Sequence, residues 1–272
     1  MGTAVPGAAA VPAIAAVAST VVLVRDGARG LETLMVVRHH EIDFASGAAV
    51  FPGGKISASD RDPRIAARCG APAGLDDQQR ALRVAAVRET FEESGLILAR
   101  RNGALLDGAR RAALHQRWGE RVAAGGEAFV EMVCDEALEL ALEALLPFAH
   151  WVTPEIAPKR FDTHFFIAAA PPGQIAQHDG SEAVDSFWVR PANALDDCEQ
   201  GRRTIIFPTL VNLALLAQSP DVAGALAAAR ARPVTRIQPT LGKRDDGKTV
   251  PILPVDCGYP TLTAGLMNLV AR

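Results

Sequence analysis

The 272-residue chain has little net charge, few cysteines and no long apolar run. Each shortage removes a class of function. A formal charge of −3, from 28 basic and 31 acidic residues, gives no electrostatic reason to bind nucleic acid or an anionic membrane, so neither is expected as a partner. Cys69, Cys134, Cys198 and Cys257 are scattered, with no C-x-x-C pair and no histidine at zinc spacing. They read as buried free thiols, which fits a reducing cytoplasm. No stretch approaches the roughly 18 consecutive apolar residues of a membrane span. The alanine-rich start has no basic residue before Arg25 and is broken by Pro6, Gly7 and Pro12, so residues 1–18 read as a loose, flexible tail and not a secretion signal. No internal repeat is present. With 49% hydrophobic and 22% charged residues the composition is globular, and one elaborated domain is expected over 19–272.

The β-branched runs 19–25 and 33–38 flank the turn-forming Asp26-Gly27 and Gly30, which predicts a hairpin. Pro52-Gly53-Gly54 cannot continue a helix or a regular strand, and it brings bare backbone close to something. Val84, Val87 and Phe91 recur at helical spacing before Gly95, so 82–93 is expected as a helix with one buried and one exposed stripe. Alanine-rich helices are expected at about 108–124 and 127–146. Strands follow in "HWVTP", "RFDTHFFIAAAP" and "DSFWVRP", and "TLVNLALLAQ" reads as the closing helix. After Pro233 the chain looks irregular, with "VPILPV" as a candidate edge strand.

The stretch "VRETFEESGL" carries the chemistry. Glu89, Glu92 and Glu93 stand at i, i+3 and i+4, so their carboxylates leave one face of a helix within a single turn. Like charges at this spacing oppose the helix by roughly 0.2–0.5 kcal/mol per pair, and Arg88 is the only nearby cation. Either the face is simply solvated, or a hard divalent ion relieves the repulsion. Spacing alone leaves the two readings balanced.

"RETFEESGL" resembles the core REUxEExGU of the Nudix box, with Arg88, Glu89, Glu92, Glu93, Gly95 and Leu96 in register. "FPGG" resembles the glycine pair that opens that box. The resemblance implies an α/β fold: the Nudix α/β/α sandwich with a mixed sheet, here with insertions at about 57–77 and 100–147. Gly54 and Arg88 are 34 positions apart where the family pattern has 14, so an insert of 20 residues is expected between them as a surface excursion with at most a short helix through "RIAARC". Counting back from Arg88, the first acid of the box falls on Arg80, and Thr90 replaces an aliphatic residue. Arg88 is thus expected to lack its usual carboxylate partner.

By the same resemblance, Glu89, Glu92, Glu93 and the carbonyl of Gly53 would hold Mg²⁺ or Mn²⁺, Arg88 would orient them, and Glu89 would help deprotonate the water. Glu182 is a candidate acid from a later loop. Arg38 and Arg160 are candidates for holding phosphate oxygens through their guanidinium forks, each also readable as a surface ion pair. His39, His40 and His164 read first as polar fillers, with His164 also a candidate for lining a cleft. Phe44 and Trp151 read as core aromatics before base-stacking ones. "W-x-TP" and "RFDT-x-FF" are similar to the branch that contains the acyl-coenzyme A diphosphatases. The expected substrate is a small nucleoside diphosphate derivative: coenzyme A or acyl-coenzyme A, or else a nucleotide sugar, ADP-ribose or a dinucleotide. A homodimer is implied by the resemblance alone. Two rivals are a non-catalytic nucleotide sensor on the same scaffold and an isoprenoid diphosphate isomerase, the latter lacking an evident strand-end cysteine.

Overall fold

The computed structural model describes residues 13–38, 47–70, 72, 74–176 and 183–269. The chain opens with the hairpin β1 (Ala16–Gly27) and β2 (Gly30–Arg38), followed by the short strands β3 (Ala49–Val50) and β4 (Gly53–Lys55). A 3-10 turn at Ala58–Arg61, helix α1 (Pro63–Ala66) and strand β5 (Cys69–Gly70) lead to the long helix α2 (Asp77–Ser94). Next come β6 (Ala99–Arg101), β7 (Ala104–Leu105), α3 (Gly108–Ala123), α4 (Ala128–Asp135) and β8 (Glu139–Ala141). The second half holds β9 (Leu146–Val152), β10 (Phe161–Ala169), β11 (Ala183–Val189), α5 (Pro191–Glu199), α6 (Phe207–Leu216) and α7 (Val222–Ala231). It ends with β12 (Arg236–Ile237), β13 (Thr240–Lys243), β14 (Thr249–Ile252) and α8 (Ala264–Leu269).

The main sheet runs β11-β2-β1-β10-β9-β12, with β3 beside β2 and β4 beside β1. It is mixed: β1 pairs with β10, and β9 with β12, in parallel, while the other pairs are antiparallel. The period-2 geometry of β1 explains the layers. Val21 and Leu23 enter one core with α2, α3, α4 and β8, and Val22 and Val24 enter the other with α5, α6 and α7. The result is an α/β/α sandwich in which both sheet faces are covered.

Several boundaries differ from the sequence reading for physical reasons. Helix α2 starts at Asp77, where the Asp76 carboxylate caps it by accepting the Gln79 N–H at 2.7 Å, and it stops at Gly95 in the left-handed conformation (φ 66°). It has no exposed stripe, because every residue from Ala81 to Phe91 is buried. The second helix of the 100–147 region ends at Asp135 instead of continuing to 146. Ala137 takes φ 49°, and the next residues form β8, whose ladder lets Leu140 and Ala141 reach zero exposure. Local preference for helix in this Ala/Leu/Glu-rich run yields to that burial. The insert after FPGG runs mostly over the surface and holds the short helix α1, but it is anchored by Ile65 and Asp60, buried at 1% and 2% exposure. In the tail, the edge of the main sheet is β12, while "VPILPV" supplies β14 of a separate two-stranded sheet with β13. Helix α6 does not close the chain, since α7 and α8 follow it.

Candidate active site

Helix α2 crosses β1 and β4 and delivers its last two turns to the Gly53-Gly54 strand end. Glu89 and Glu93 are 6% and 3% exposed, so the solvated-face reading fails. The Gly53 N–H donates to Glu93 Oε2 at 3.0 Å. Arg88 Nη1 donates to Glu89 Oε1 at 2.8 Å and to Glu92 Oε2 at 3.0 Å. The remainder of the guanidinium is held from the other side: Nε and Nη2 donate to the two oxygens of Asp60 at 2.8 and 3.0 Å, and Nη2 also donates to the Lys55 carbonyl at 2.9 Å.

Asp60 corrects the expected register. The acid that partners Arg88 lies six positions after Gly54, on the inserted segment, and not eight before Arg88. The extra residues therefore sit between acid and arginine. Arg80, which occupies the counted position, pairs with Asp77 on the outer side of the helix. Burial by itself would lower the Arg88 pKa, but the hydrogen-bonded Asp60 and the charges of Glu89, Asp60 and Glu92 raise it above the ordinary arginine value. Arg88 is thus a fixed cation that points its free edge at two carboxylates.

The charge balance indicates what the site can accept. Three carboxylates, Asp60, Glu89 and Glu92, contact the single guanidinium of Arg88, and a fourth, Glu93, lies one residue on and is held by the Gly53 N–H. This excess of buried negative charge and hard oxygen donors fits a divalent cation such as Mg²⁺ or Mn²⁺. The two glycines have separate reasons to be small. A Cβ on Gly53 would press on the backbone of Ser19 and Thr20, and one on Gly54 would occupy the position of the Glu89 carboxylate. Gly54→Ala is therefore expected to fold normally and lose about 100-fold in kcat/KM, because the flexible carboxylate moves aside and is misplaced. Gly53→Ala is expected to cost about 1–3 kcal/mol of stability, because backbone has to move. Thermal melts and steady-state kinetics on the two variants separate these effects, and equal destabilisation of both would contradict the assignment.

The carboxylate cluster borders a cleft of about 1660 Å³. Gly53, Gly54, Arg88, Glu89 and Glu92 line it, as does Arg38, whose Nε is buried with no hydrogen-bond partner among the described residues. Arg160 does not join them: its guanidinium donates to the carbonyls of Thr153 and Ala13 at 3.2 and 2.8 Å, and the residue is absent from the lining. Lys55 and Lys159 line the cleft instead. Lys55 was legible as the residue directly after the glycine pair, whereas nothing local marked Lys159. The lining also has an apolar part, with Val122, Phe129, Ile156, Phe207 and Leu241. Helices α3 and α4 thus do two things, covering α2 through Leu114, Trp118 and Val130 and lending Val122 and Phe129 to this lining.

Trp151 also reaches the cleft, but it is 3% exposed, packs edge-on against Phe207 and Tyr259, and donates Nε1 to Tyr259 Oη at 3.2 Å. It is a wall and not an open stacking platform. Phe161, Thr163 and Phe165 of β10 line the cleft, so Asp162 and His164 project to the opposite face. His164 is therefore not a cleft residue. Its pKa is pushed down to about 4, first by burial and then by the charges of His150 and Arg83, against an upward pull from Asp162. All four cysteines are free, and burial raises the Cys69 thiol to about 11 and that of Cys198 above its usual value. Neither thiol is activated. Glu182, His39, His40 and Phe44 lie outside the described residues. Among the described residues no helix is long and apolar enough to cross a membrane.

Comparison with known proteins agrees with this geometry. A family model described as the NUDT19 Nudix domain matches residues 72–216. Acyl-coenzyme A diphosphatase NUDT19 of Xenopus laevis is 27% identical over 225 residues, covering 68% of this chain and 59% of the relative. Putative nudix hydrolase 7 of Caenorhabditis elegans is 26% identical, covering 69% and 56% respectively. The chain thus spans a little over half the length of these curated relatives. The crystal structure of a NUDIX hydrolase from Alicyclobacillus acidocaldarius superimposes with a TM-score of 0.68 at 29% identity, covering 79% of this chain and 96% of that one.

Proposed function

The chain belongs to the NUDT19 Nudix domain family, and on that premise we propose that it hydrolyses the pyrophosphate bond of a nucleoside diphosphate linked to another group, with acyl-coenzyme A or coenzyme A as the leading candidate. The observation that carries this reading is the carboxylate cluster around Arg88 in a large cleft whose lining is in part apolar. A divalent metal, Mg²⁺ or Mn²⁺, would lower the pKa of its water and polarise the phosphoryl group. Glu89, Glu92 and Glu93 would hold it, with the Gly53 carbonyl as a further oxygen donor, and Glu89 would accept the proton of the attacking water.

Arg88 acts by position. Fastened by Asp60 and the Lys55 carbonyl, it fixes the carboxylates of Glu89 and Glu92 and offsets part of their repulsion. Arg38, Lys55 and Lys159 supply positive charge along the cleft for the phosphate oxygens. The apolar part of the lining suits an acyl or pantetheine arm, and a cleft of about 1660 Å³ exceeds the roughly 300–1,000 Å³ usual for a small ligand. Glu182 remains a proposed second acid.

The test is a panel of coenzyme A, acyl-coenzyme A of graded chain length, ADP-ribose, nucleotide sugars and dinucleotides, each with and without Mg²⁺ or Mn²⁺. Metal-dependent release of two phosphate monoesters is expected, with kcat/KM highest for the coenzyme A derivatives. Cleavage of nucleotide sugars in preference to coenzyme A derivatives would replace the substrate assignment. Saturable ligand binding without any product would move the protein to the sensor class.

A further inference from the structure

A second cluster of metal-ligating side chains lies on the α2 face of the sheet, away from the side of β10 that lines the cleft with Phe161, Thr163 and Phe165, and two strands across from Gly54. His150 of β9 and Asp162 and His164 of β10 each present a ligand atom within 4.8 Å of the others. We propose that these three residues bind a transition-metal dication of the Zn²⁺ type, at a site separate from the glutamate cluster and independent of the hydrolase reading. The donor set argues for that class of ion. Two imidazoles and one carboxylate suit Zn²⁺ and its neighbours, whereas Mg²⁺ takes all-oxygen shells of the kind that Glu89, Glu92 and Glu93 offer.

The backbone holds the donors in place. His164 and His150 are directly paired across the antiparallel β9–β10 ladder, and Asp162 lies two residues from His164 on the same face. Asp162 Oδ1 is 2.6 Å from His150 Nε2 and 3.6 Å from His164 Nε2. Bonds of about 2.0–2.1 Å in a tetrahedral site place ligand atoms about 3.3 Å apart, between these two separations. The imidazoles stack with centroids 4.0 Å apart, so loading turns the rings about their side-chain torsions and leaves the strands as they are. All three side chains are partly exposed, which leaves an entry path and room for a water as fourth ligand.

The polar row continues inward. Ser19 is the register partner of His164 on β1, and its hydroxyl is buried with no hydrogen-bond partner among the described residues. A hydrated ion beside it supplies a polar neighbour to that end of the row. Two cations face the cluster: Arg83 from α2, which acts on His164, and Arg236, the register partner of His150 on β12. Their charge opposes a dication, so binding is expected to be weaker than in a structural zinc site.

Zn²⁺ is titrated into the full chain by calorimetry in saturating Mg²⁺, which occupies the carboxylate set. One equivalent is expected to bind, at least tenfold more weakly in His150→Ala and in His164→Ala and unchanged in Glu92→Gln. In the unaltered protein, Zn²⁺ is expected to shift the ring ¹⁵N resonances of His150 and His164, which decides the matter even where a variant folds poorly. No saturable Zn²⁺ binding in Mg²⁺, binding that survives both histidine substitutions, binding lost in Glu92→Gln, or unmoved ring resonances would each overturn the proposal.

Discussion

Glu92→Gln is expected to lower kcat by on the order of a thousand-fold while leaving the thermal melt of the metal-free protein unchanged or slightly raised. The reason is the geometry of the α2 turn. Glu92 is the most accessible of the three carboxylates, with a side chain 18% exposed, and it lines the cleft. The amide keeps an oxygen for Arg88 Nη1, so the hydrogen bond at 3.0 Å survives in weakened form. What disappears is a negative charge one turn from Glu89 and beside Glu93, and removing it relieves like-charge repulsion of roughly 0.2–0.5 kcal/mol per pair. Fold and function should therefore part. Steady-state kinetics across a Mg²⁺ titration, paired with calorimetric unfolding, checks this. Turnover within tenfold of the unaltered protein would remove Glu92 from the metal-holding set.

The second large effect is on stability. Asp60→Ala should cost about 1.5–3 kcal/mol, the worth of the charge-assisted hydrogen bonds lost from a buried guanidinium that keeps Glu89, Glu92 and the Lys55 carbonyl. The Asp60 side chain is fully buried and Arg88 nearly so, with side-chain exposures of 0% and 9%. Asp60 also accepts the Ser57 N–H at 2.7 Å, so its removal loosens the start of the inserted segment as well. Activity should fall too, since Arg88 then orients Glu89 and Glu92 less well. Asp60→Glu is the informative companion. A longer carboxylate that still reaches Arg88 should recover part of both losses, and a purely structural role for the segment would restore stability without restoring kcat. Denaturant unfolding and kinetics on the two variants distinguish these outcomes.

The legibility of this protein follows sequence distance. The hairpin, helix α2 and strands β9 to β11 were readable because period-2 and period-3.6 patterns are local properties of a chain. The carboxylate cluster was readable for the same reason, as Glu89, Glu92 and Glu93 lie within one turn. The partner of Arg88 was not, because counting back from the arginine ran through an insert of unknown placement. The signal was nevertheless present: Gly54 and Asp60 keep the family's glycine-to-acid spacing, and counting forward from the glycines would have found it. Helix α4 failed for another reason. Its Leu- and Ala-rich extension has helical propensity, and only the neighbouring β5 and β6 make a strand at Glu139–Ala141 the better way to bury it.

Arg160 and His164 show the remaining limit. Both sit in the "RFDTHFF" stretch that marks the branch, Arg160 as a candidate phosphate holder and His164 as a polar filler that could also line a cleft. Sheet geometry then assigned them elsewhere, Arg160 to backbone carbonyls and His164 to the α2 side. The sequence by itself determined the family, the α/β class and the carboxylate triad, because each rests on residues spaced by one turn, one strand or one short motif. The tertiary structure alone decided which acid steadies Arg88, which face of β10 meets the cleft and that His150, Asp162 and His164 come together. Those depend on strand pairing and register across long separations, which local patterns do not specify.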